Sequence, residues 1–295
     1  MTDKVIPAAV GVIGGGRMGA GIAQVFATLG SVVRIAEPAE PADPDAARER
    51  VRRGLRASAA RNTVDPAEID AIMGRVAVVG DIAELTAELD LVVEAVPEDA
   101  RLKAEVLAAA ERVVGPRTVL ASNTSSLSIA ELGAVLKDSS RFLGTHFFNP
   151  VPASALVEIV RAPETAPEVV LRVRDWVAAL GKGEVLVEDA PGFATSRLGV
   201  CLGLEAIRML EEGVADAESI DRAMELGYRH AMGPLRSTDL VGLDVRLAIA
   251  EHLAATLGPR FEPPQLLRDK VARGELGRKS GRGFHEWADA TKGTR

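Results

Sequence analysis

The chain has 295 residues, of which 47% are hydrophobic, 26% charged and only 3% aromatic, so Val, Leu, Ile and Ala must build its core. That composition excludes a disordered chain, and a net charge of −7 excludes sequence-independent DNA binding, which needs a dominant Lys/Arg field. The single cysteine, Cys201, excludes an internal disulfide framework and a multi-cysteine zinc site, and its place in the apolar run 198–204 reads as helix packing.

Short β-branched runs alternate with helical patterns through the first two thirds. They predict strands at 10–13, 32–36, 76–79, 91–95, 118–121, 142–147, 156–160 and 184–187. Several are almost continuous in Val, Leu and Ile, the pattern of strands covered by helices on both faces. Strand–helix alternation implies a doubly wound, mostly parallel α/β sheet. The last three predicted strands have short helices or none between them, so that end is expected to turn antiparallel. An Arg- and Ala-rich insertion at 43–74 has helical period and reads as a helical hairpin standing off the sheet. Its arginines (Arg48, Arg50, Arg52, Arg53, Arg56, Arg61) read mainly as a solvated face. After Pro191-Gly192 the character changes. Helices are expected at 198–212, 216–226, 238–257 and 263–273, the first three closed by Gly213, Gly227 and Gly258. The domain boundary is therefore expected near 190, with an all-helical second domain at 190–295 that completes its core against a second subunit. No apolar run reaches the ~18 residues of a membrane span, and the first residues lack a secretory signal pattern, so a soluble cytoplasmic protein is expected.

The strongest local signal is Gly14-Gly15-Gly16-Arg17-Met18-Gly19, which fits G-x-G-x-x-G directly between a strand and a helix. Gly14 permits the tight turn, Gly16 lets a pyrophosphate approach the backbone, and Gly19 lets the helix sit close to the strand. The helix N-terminus offers unpaired N–H groups to the phosphates. An acid, Glu37, ends the second strand at the spacing expected of a residue that binds a ribose diol. Glu37 and Glu40 would repel a 2′-phosphate, so the cofactor is expected to be NAD rather than NADP.

In such sheets ligands bind beyond the carboxyl ends of the strands. Three stretches qualify: 93–98, 121–126 and 145–150. His146 alone among the four histidines lies at the end of a predicted strand. By itself it reads as a buried, hydrogen-bonded histidine, but Glu158 interrupts the apolar strand 156–160, where a carboxylate is costly unless paired. A carboxylate–imidazole pair makes a general base towards an alcohol, with Ser125 placed to hydrogen-bond the reacting oxygen. These residues point to alcohol oxidation or ketone reduction. His230, His252 and His285 have no metal-ligand spacing, so no metal is expected.

With Ser122-Asn123-Thr124-Ser125-Ser126, His146-Phe147-Phe148-Asn149-Pro150 and further matching stretches in both halves, the chain resembles the L-3-hydroxyacyl-CoA dehydrogenase family over nearly its whole length. The resemblance implies a Rossmann-type domain at 1–189 followed by a helical dimerisation and substrate domain. It further implies hydride transfer between NAD and a (3S)-3-hydroxyacyl-CoA, as in fatty-acid metabolism. By resemblance, His146 removes the 3-hydroxyl proton, Glu158 pairs with it, and Ser125 contacts substrate and nicotinamide. Gly14, Gly16, Arg17, Met18, Gly19, Glu37, Ala95, Glu98, Lys103, Asn123 and Lys279 fall at cofactor-binding positions. Ser58, Arg61 and Asn149 fall at acyl-CoA-binding positions, and a homodimer through the helical domain is implied. Two positions depart from the family pattern. Ser196 stands where the family usually has an asparagine that positions the substrate carbonyl, and Glu37, followed by Pro38, stands where an aspartate is usual. Two other readings compete: a dehydrogenase of a small hydroxy acid or sugar acid on the same scaffold, and an NAD- or acyl-CoA-binding protein with little turnover, motivated by Ser196.

Overall fold

The computed structural model describes residues 6–37 and 44–287, so Pro38, Glu40 and Asp43 lie outside the described residues. It divides into two compact units at Ala190/Pro191. The first unit opens with β1 (Ala9–Ile13), α1 (Arg17–Leu29), β2 (Val32–Ala36), α2 (Pro44–Ala59), α3 (Ile69–Met73) and β3 (Val76–Val79). It continues with β4 (Leu91–Glu94), α4 (Ala100–Val113), β5 (Val119–Ser122), α5 (Ile129–Gly133), β6 (Phe142–Phe147), β7 (Leu156–Arg161), α6 (Pro167–Ala179) and β8 (Gly183–Glu188). The strands form one sheet in the order β3-β2-β1-β4-β5-β6-β7-β8. The order in which successive strands are added reverses between the parallel neighbours β1 and β4, which makes their carboxyl ends the switch point where such sheets bind ligands. Val10, Val12, Val93, Val119 and Ala121 are wholly buried, as expected of strands covered on both faces.

The antiparallel expectation holds for one pair only. β6 and β7 are antiparallel because the connection 148–155 is far shorter than the dozen or so residues a crossover needs. β7 and β8 are parallel, since α6 supplies the crossover. Pro167 opens α6 at its first helical position, where a missing N–H costs nothing, and Val169, Val170, Val173, Trp176 and Val177 bury one face of it.

The 43–74 insertion does form a helix followed by a shorter one, but it does not stand off the sheet. Val51 and Leu55 of α2 are fully buried in the same core as α1 and β2. Two of its arginines are structural: Arg48 donates to the carbonyls of Val76 and Met73, and Arg50 to the carbonyl of Gly15 at 3.0 Å.

The second unit contains α7 (Thr195–Glu211), α8 (Ala217–Tyr228), α9 (Pro234–Val241), α10 (Leu243–Leu257) and α11 (Gln265–Ala272) around a core that includes Val200, Leu204, Ile207, Leu235 and Leu253. Gly227 lies inside α8, which ends at Arg229 in the left-handed region, φ 58°. The single helix expected at 238–257 is two: Gly242, with φ 104°, breaks the chain between α9 and α10. Cys201 is exposed rather than packed. Two buried carboxylates tie down the segment after α11. Asp239 accepts from the N–H groups of Phe284 and His285 and from Trp287 Nε1, and Asp221 lies 2.8 Å from His285 Nε2. No helix among the described residues is long and apolar enough to cross a membrane.

Candidate active site

The glycine-rich turn joins β1 to α1. Gly14 has φ 96°, and a Cβ there would meet the Ala95 carbonyl at 3.0 Å, so β4's continuation presses directly on the turn. At Gly19 a Cβ would lie 1.8 Å from the Gly14 carbonyl oxygen, which admits only glycine. Gly16 differs: nothing lies within 4 Å of a Cβ built there, and both it and Arg17 are exposed, with Met18 half-buried behind them. No side chain caps the N-terminus of α1 and no acid lies in its first turn, so its donors and partial positive charge are available to an anion. This combination fits a dinucleotide pyrophosphate. Glu37, just past β2, turns its carboxylate back onto the Gly15 N–H, at 3.0 and 3.1 Å from its two oxygens. Ionised carboxylate oxygens carry about four lone-pair sites, so this bond leaves acceptor capacity for a diol.

At the carboxyl ends of β4 and β5, Glu94 and Ser122 are register partners. Glu94, wholly buried, accepts from Ser122 Oγ at 2.5 Å, from the Val96 N–H at 2.7 Å and from Lys103 Nζ at 2.8 Å. Lys103, on α4 and 1% exposed, also lies 3.2 Å from Glu98 Oε2. Glu98 in turn accepts from Thr124 Oγ1 (2.6 Å), the Ser125 N–H (2.9 Å) and Ser125 Oγ (3.3 Å). Burial pushes the Glu94 carboxyl above its ordinary pKa of 4.5, against the pull of Lys103, Ser122 and Val96. Burial acts upward on Glu98 too, but the Lys103 charge and the bonds from Thr124 and Ser125 outweigh it and hold Glu98 below 4.5. The cation thus serves two carboxylates, and the outer one orients Ser125. Asn123 receives the Phe147 N–H on Oδ1 at 2.9 Å, which ties the end of β5 to the end of β6 and leaves its amide donors for a ligand.

His146 and Glu158 face each other directly across the β6–β7 ladder. His146 Nδ1 lies 2.7 Å from Glu158 Oε2, with Glu158 wholly buried and His146 nearly so. Phe148 packs on the imidazole, ring centroids 4.4 Å apart. Asn149 follows on the exposed start of the connection to β7.

Ser58 is buried near the end of α2, accepts from Gln24 Nε2 at 3.0 Å and has Arg61 Nη2 at 3.5 Å. With Gln24, Thr63, Pro152, Leu180 and Lys182 it lines a cavity of about 230 Å³. In the second unit, Ser196 is buried in the first turn of α7, and Lys279 binds both oxygens of Asp244 at 2.6 Å. Among the described residues no three His, Cys, Asp or Glu side chains converge as a metal site. The sequence places Glu94 and Ser122 in candidate stretches but assigns no role to either, nor to Lys182. The available signal for Glu94 was the one that exposed Glu158, an acid within an otherwise apolar strand.

A family profile described as the 3-hydroxyacyl-CoA dehydrogenase NAD binding domain matches residues 9–190, and one described as the 3-hydroxyacyl-CoA dehydrogenase C-terminal domain matches 192–287. A 3-hydroxybutyryl-CoA dehydrogenase of Mycobacterium tuberculosis is 43% identical over 94% of this chain and 98% of its own length. A probable 3-hydroxybutyryl-CoA dehydrogenase of Bacillus subtilis is 40% identical over 95% and 97%. Among solved structures, FadB2 of M. tuberculosis superposes with a TM-score of 0.91 at 42% identity, covering 96% of this chain and 100% of that one. (S)-3-hydroxybutyryl-CoA dehydrogenase PaaH1 of Ralstonia eutropha gives 0.89 at 36%, with the same coverage.

Proposed function

Since the chain belongs to the 3-hydroxyacyl-CoA dehydrogenase family and carries its NAD-binding domain, we propose that it interconverts (3S)-3-hydroxyacyl-CoA and 3-ketoacyl-CoA, with His146 as the general base and acid. The observation that carries this reading is the 2.7 Å His146–Glu158 pair at the carboxyl edge of the sheet. With Glu158 on Nδ1, the imidazole is held in the tautomer whose Nε2 accepts a proton, and the imidazolium that forms has a carboxylate beside it. In the oxidative direction His146 takes the 3-hydroxyl proton; NAD held at the glycine-rich turn would supply the acceptor for the hydride leaving C3. In reverse His146 returns that proton to the ketone oxygen. Ser125, oriented by Glu98, is read as a donor to the reacting oxygen, and Ser196 as a shorter substitute for the asparagine that positions the substrate carbonyl. Gly14, Gly16, Arg17, Met18, Gly19, Ala95, Lys103, Asn123 and Lys279 are read as cofactor contacts, with Glu37 on the ribose diol. Ser58, Arg61 and Asn149 are read as acyl-CoA contacts.

A homodimer through the helical unit belongs to the same reading, supported by the exposed apolar side chains Leu198 and Leu226 and the exposed Tyr228. So does a cytoplasmic location. The test is a spectrophotometric comparison of acetoacetyl-CoA, longer 3-ketoacyl-CoAs and free acetoacetate, each with NADH and NADPH. NADH consumption confined to the CoA thioesters is expected. Equal rates on free acetoacetate would instead favour the small hydroxy-acid reading, and NADH binding without consumption a binding protein.

A further inference from the structure

Lys182 stands in the turn between α6 and β8, nine-tenths buried, and no carboxylate among the described residues pairs with it. Its ammonium donates to two main-chain carbonyls, Val151 at 2.7 Å and Ser154. Burial pulls its pKa down, the ordinary cost of removing an ammonium from water. Neither carbonyl accepts a backbone N–H among the described residues, so without Lys182 both would be left without that partner. Both belong to the connection 148–155, which leaves β6 just after His146 and enters β7 just before Glu158. Val151 is buried in the main core, Ser154 Oγ receives the Leu156 N–H at 3.4 Å, and the connection has few main-chain bonds of its own. The N–H groups of Ala153 and Ser154 share the Pro150 carbonyl, and Ala155 receives Gly183 N–H at 2.7 Å. On its other side α1 closes onto Val151, where a Cβ at Gly21 would come within 2.9 Å of Val151 Cβ.

We propose that Lys182 is a positioning residue for hydride transfer: by clamping the Val151 and Ser154 carbonyls it holds the 148–155 connection, and through it the alignment of His146 with Glu158 and the placement of Asn149. A carboxylate partner would have anchored the lysine to one side chain. Two carbonyls three residues apart instead fix the path of the main chain. The proposal rests on His146 being the acid/base group, and the test below separates the two.

The experiment compares Lys182→Met and Lys182→Arg with the parent chain. Amide hydrogen exchange, measured without ligands, reads the clamp directly. Lys182→Met is expected to lose protection across 148–155 while β1 and α4 keep theirs, and Lys182→Arg, which still has donors for two carbonyls, to restore most of it. Steady-state kinetics with acetoacetyl-CoA and NADH read the consequence. We expect kcat for Lys182→Met to fall roughly tenfold, the KM for NADH to stay within twofold, and the isotope effect from NADH deuterated at the transferred position to rise as chemistry becomes limiting. A variant that is merely less well folded lowers kcat by its folded fraction and leaves KM and the isotope effect at parent values. Unchanged exchange across 148–155, or that fraction-only pattern, overturns the proposal. If Lys182→Met does not fold, a Lys182→Gln variant is held to the same criteria. If His146→Gln proves as active as the parent, the acid/base reading has failed while the exchange result still decides the clamp.

Discussion

Replacing Lys103 by methionine should expose how the buried charges of the cofactor site are balanced. The ammonium lies 2.8 Å from Glu94 and 3.2 Å from Glu98, at 1% exposure, while the Glu94 side chain has no exposure at all. Methionine keeps the length of the side chain and removes the cation. Glu94 then retains only Ser122 and the Val96 N–H. Removing one partner of a buried pair costs about 3–5 kcal/mol. At roughly 2–4 °C per kcal/mol for a unit of this size, the thermal midpoint should fall by about 6–20 °C near pH 8.

The pH dependence carries the sign. Burial already raises Glu94 above 4.5 with Lys103 present, and without the cation it rises further. A carboxylate with a raised folded pKa binds its proton more tightly in the native state, so stability falls as pH climbs from 4.5 through that pKa. The penalty in Lys103→Met should therefore be largest at pH 8 and shrink as pH falls through the raised Glu94 pKa. The double variant Lys103→Met with Glu94→Gln, which removes both charges, should recover part of the loss, with a coupling of about 1–3 kcal/mol. Scanning calorimetry of the ligand-free chain at pH 5, 6.5 and 8 is sufficient. A midpoint loss independent of pH, or single effects that simply add in the double variant, would refute the argument.

His146→Gln should lower kcat by about 10²–10⁴-fold, the range of a single general acid/base, and leave the NADH Kd from fluorescence titration unchanged. Unchanged turnover would remove this imidazole from the chemistry. The two adjacent glycines of the turn should separate by mechanism. Gly15→Ala places a Cβ 2.3 Å from Glu37 Oε2 and 2.6 Å from Ala47 Cβ, so both the thermal midpoint and NADH affinity should drop. Gly16→Ala meets nothing within 4 Å, so the midpoint should hold within about a degree while NADH binding weakens at least tenfold, because the methyl group takes the space where the pyrophosphate approaches. Equal NADH affinity in Gly16→Ala and the parent would move the phosphates elsewhere. Glu98, held below 4.5, stabilises the fold above pH 4.5 and loses that contribution as pH falls through its lowered pKa. Glu98→Gln should therefore be less stable than the parent at neutral pH and approach it below pH 4, which acid titration followed by circular dichroism would show.

The parts of this protein that the sequence determined by itself are those whose cause is local. Eight strands were legible because each is a short β-branched run, and the turn at Gly14–Gly19 because close main-chain approach demands glycine at fixed spacing. Glu158 stood out because an acid in an apolar strand needs a partner. The misjudged elements depended on distant surroundings. The crossover α6 and its parallel β8 were read as an antiparallel end. Gly227 and Gly242 exchanged roles because a glycine stops a helix only when packing lets the chain turn there. The tertiary structure alone decided that Lys103 is shared between Glu94 and Glu98, that Glu37 returns to the Gly15 N–H, and that Lys182 reaches the carbonyls of Val151 and Ser154. Periodicity and propensity act over a few residues of chain. A buried charge or carbonyl is satisfied by whatever the fold brings within about 3 Å, and that distance carries no trace of separation along the sequence.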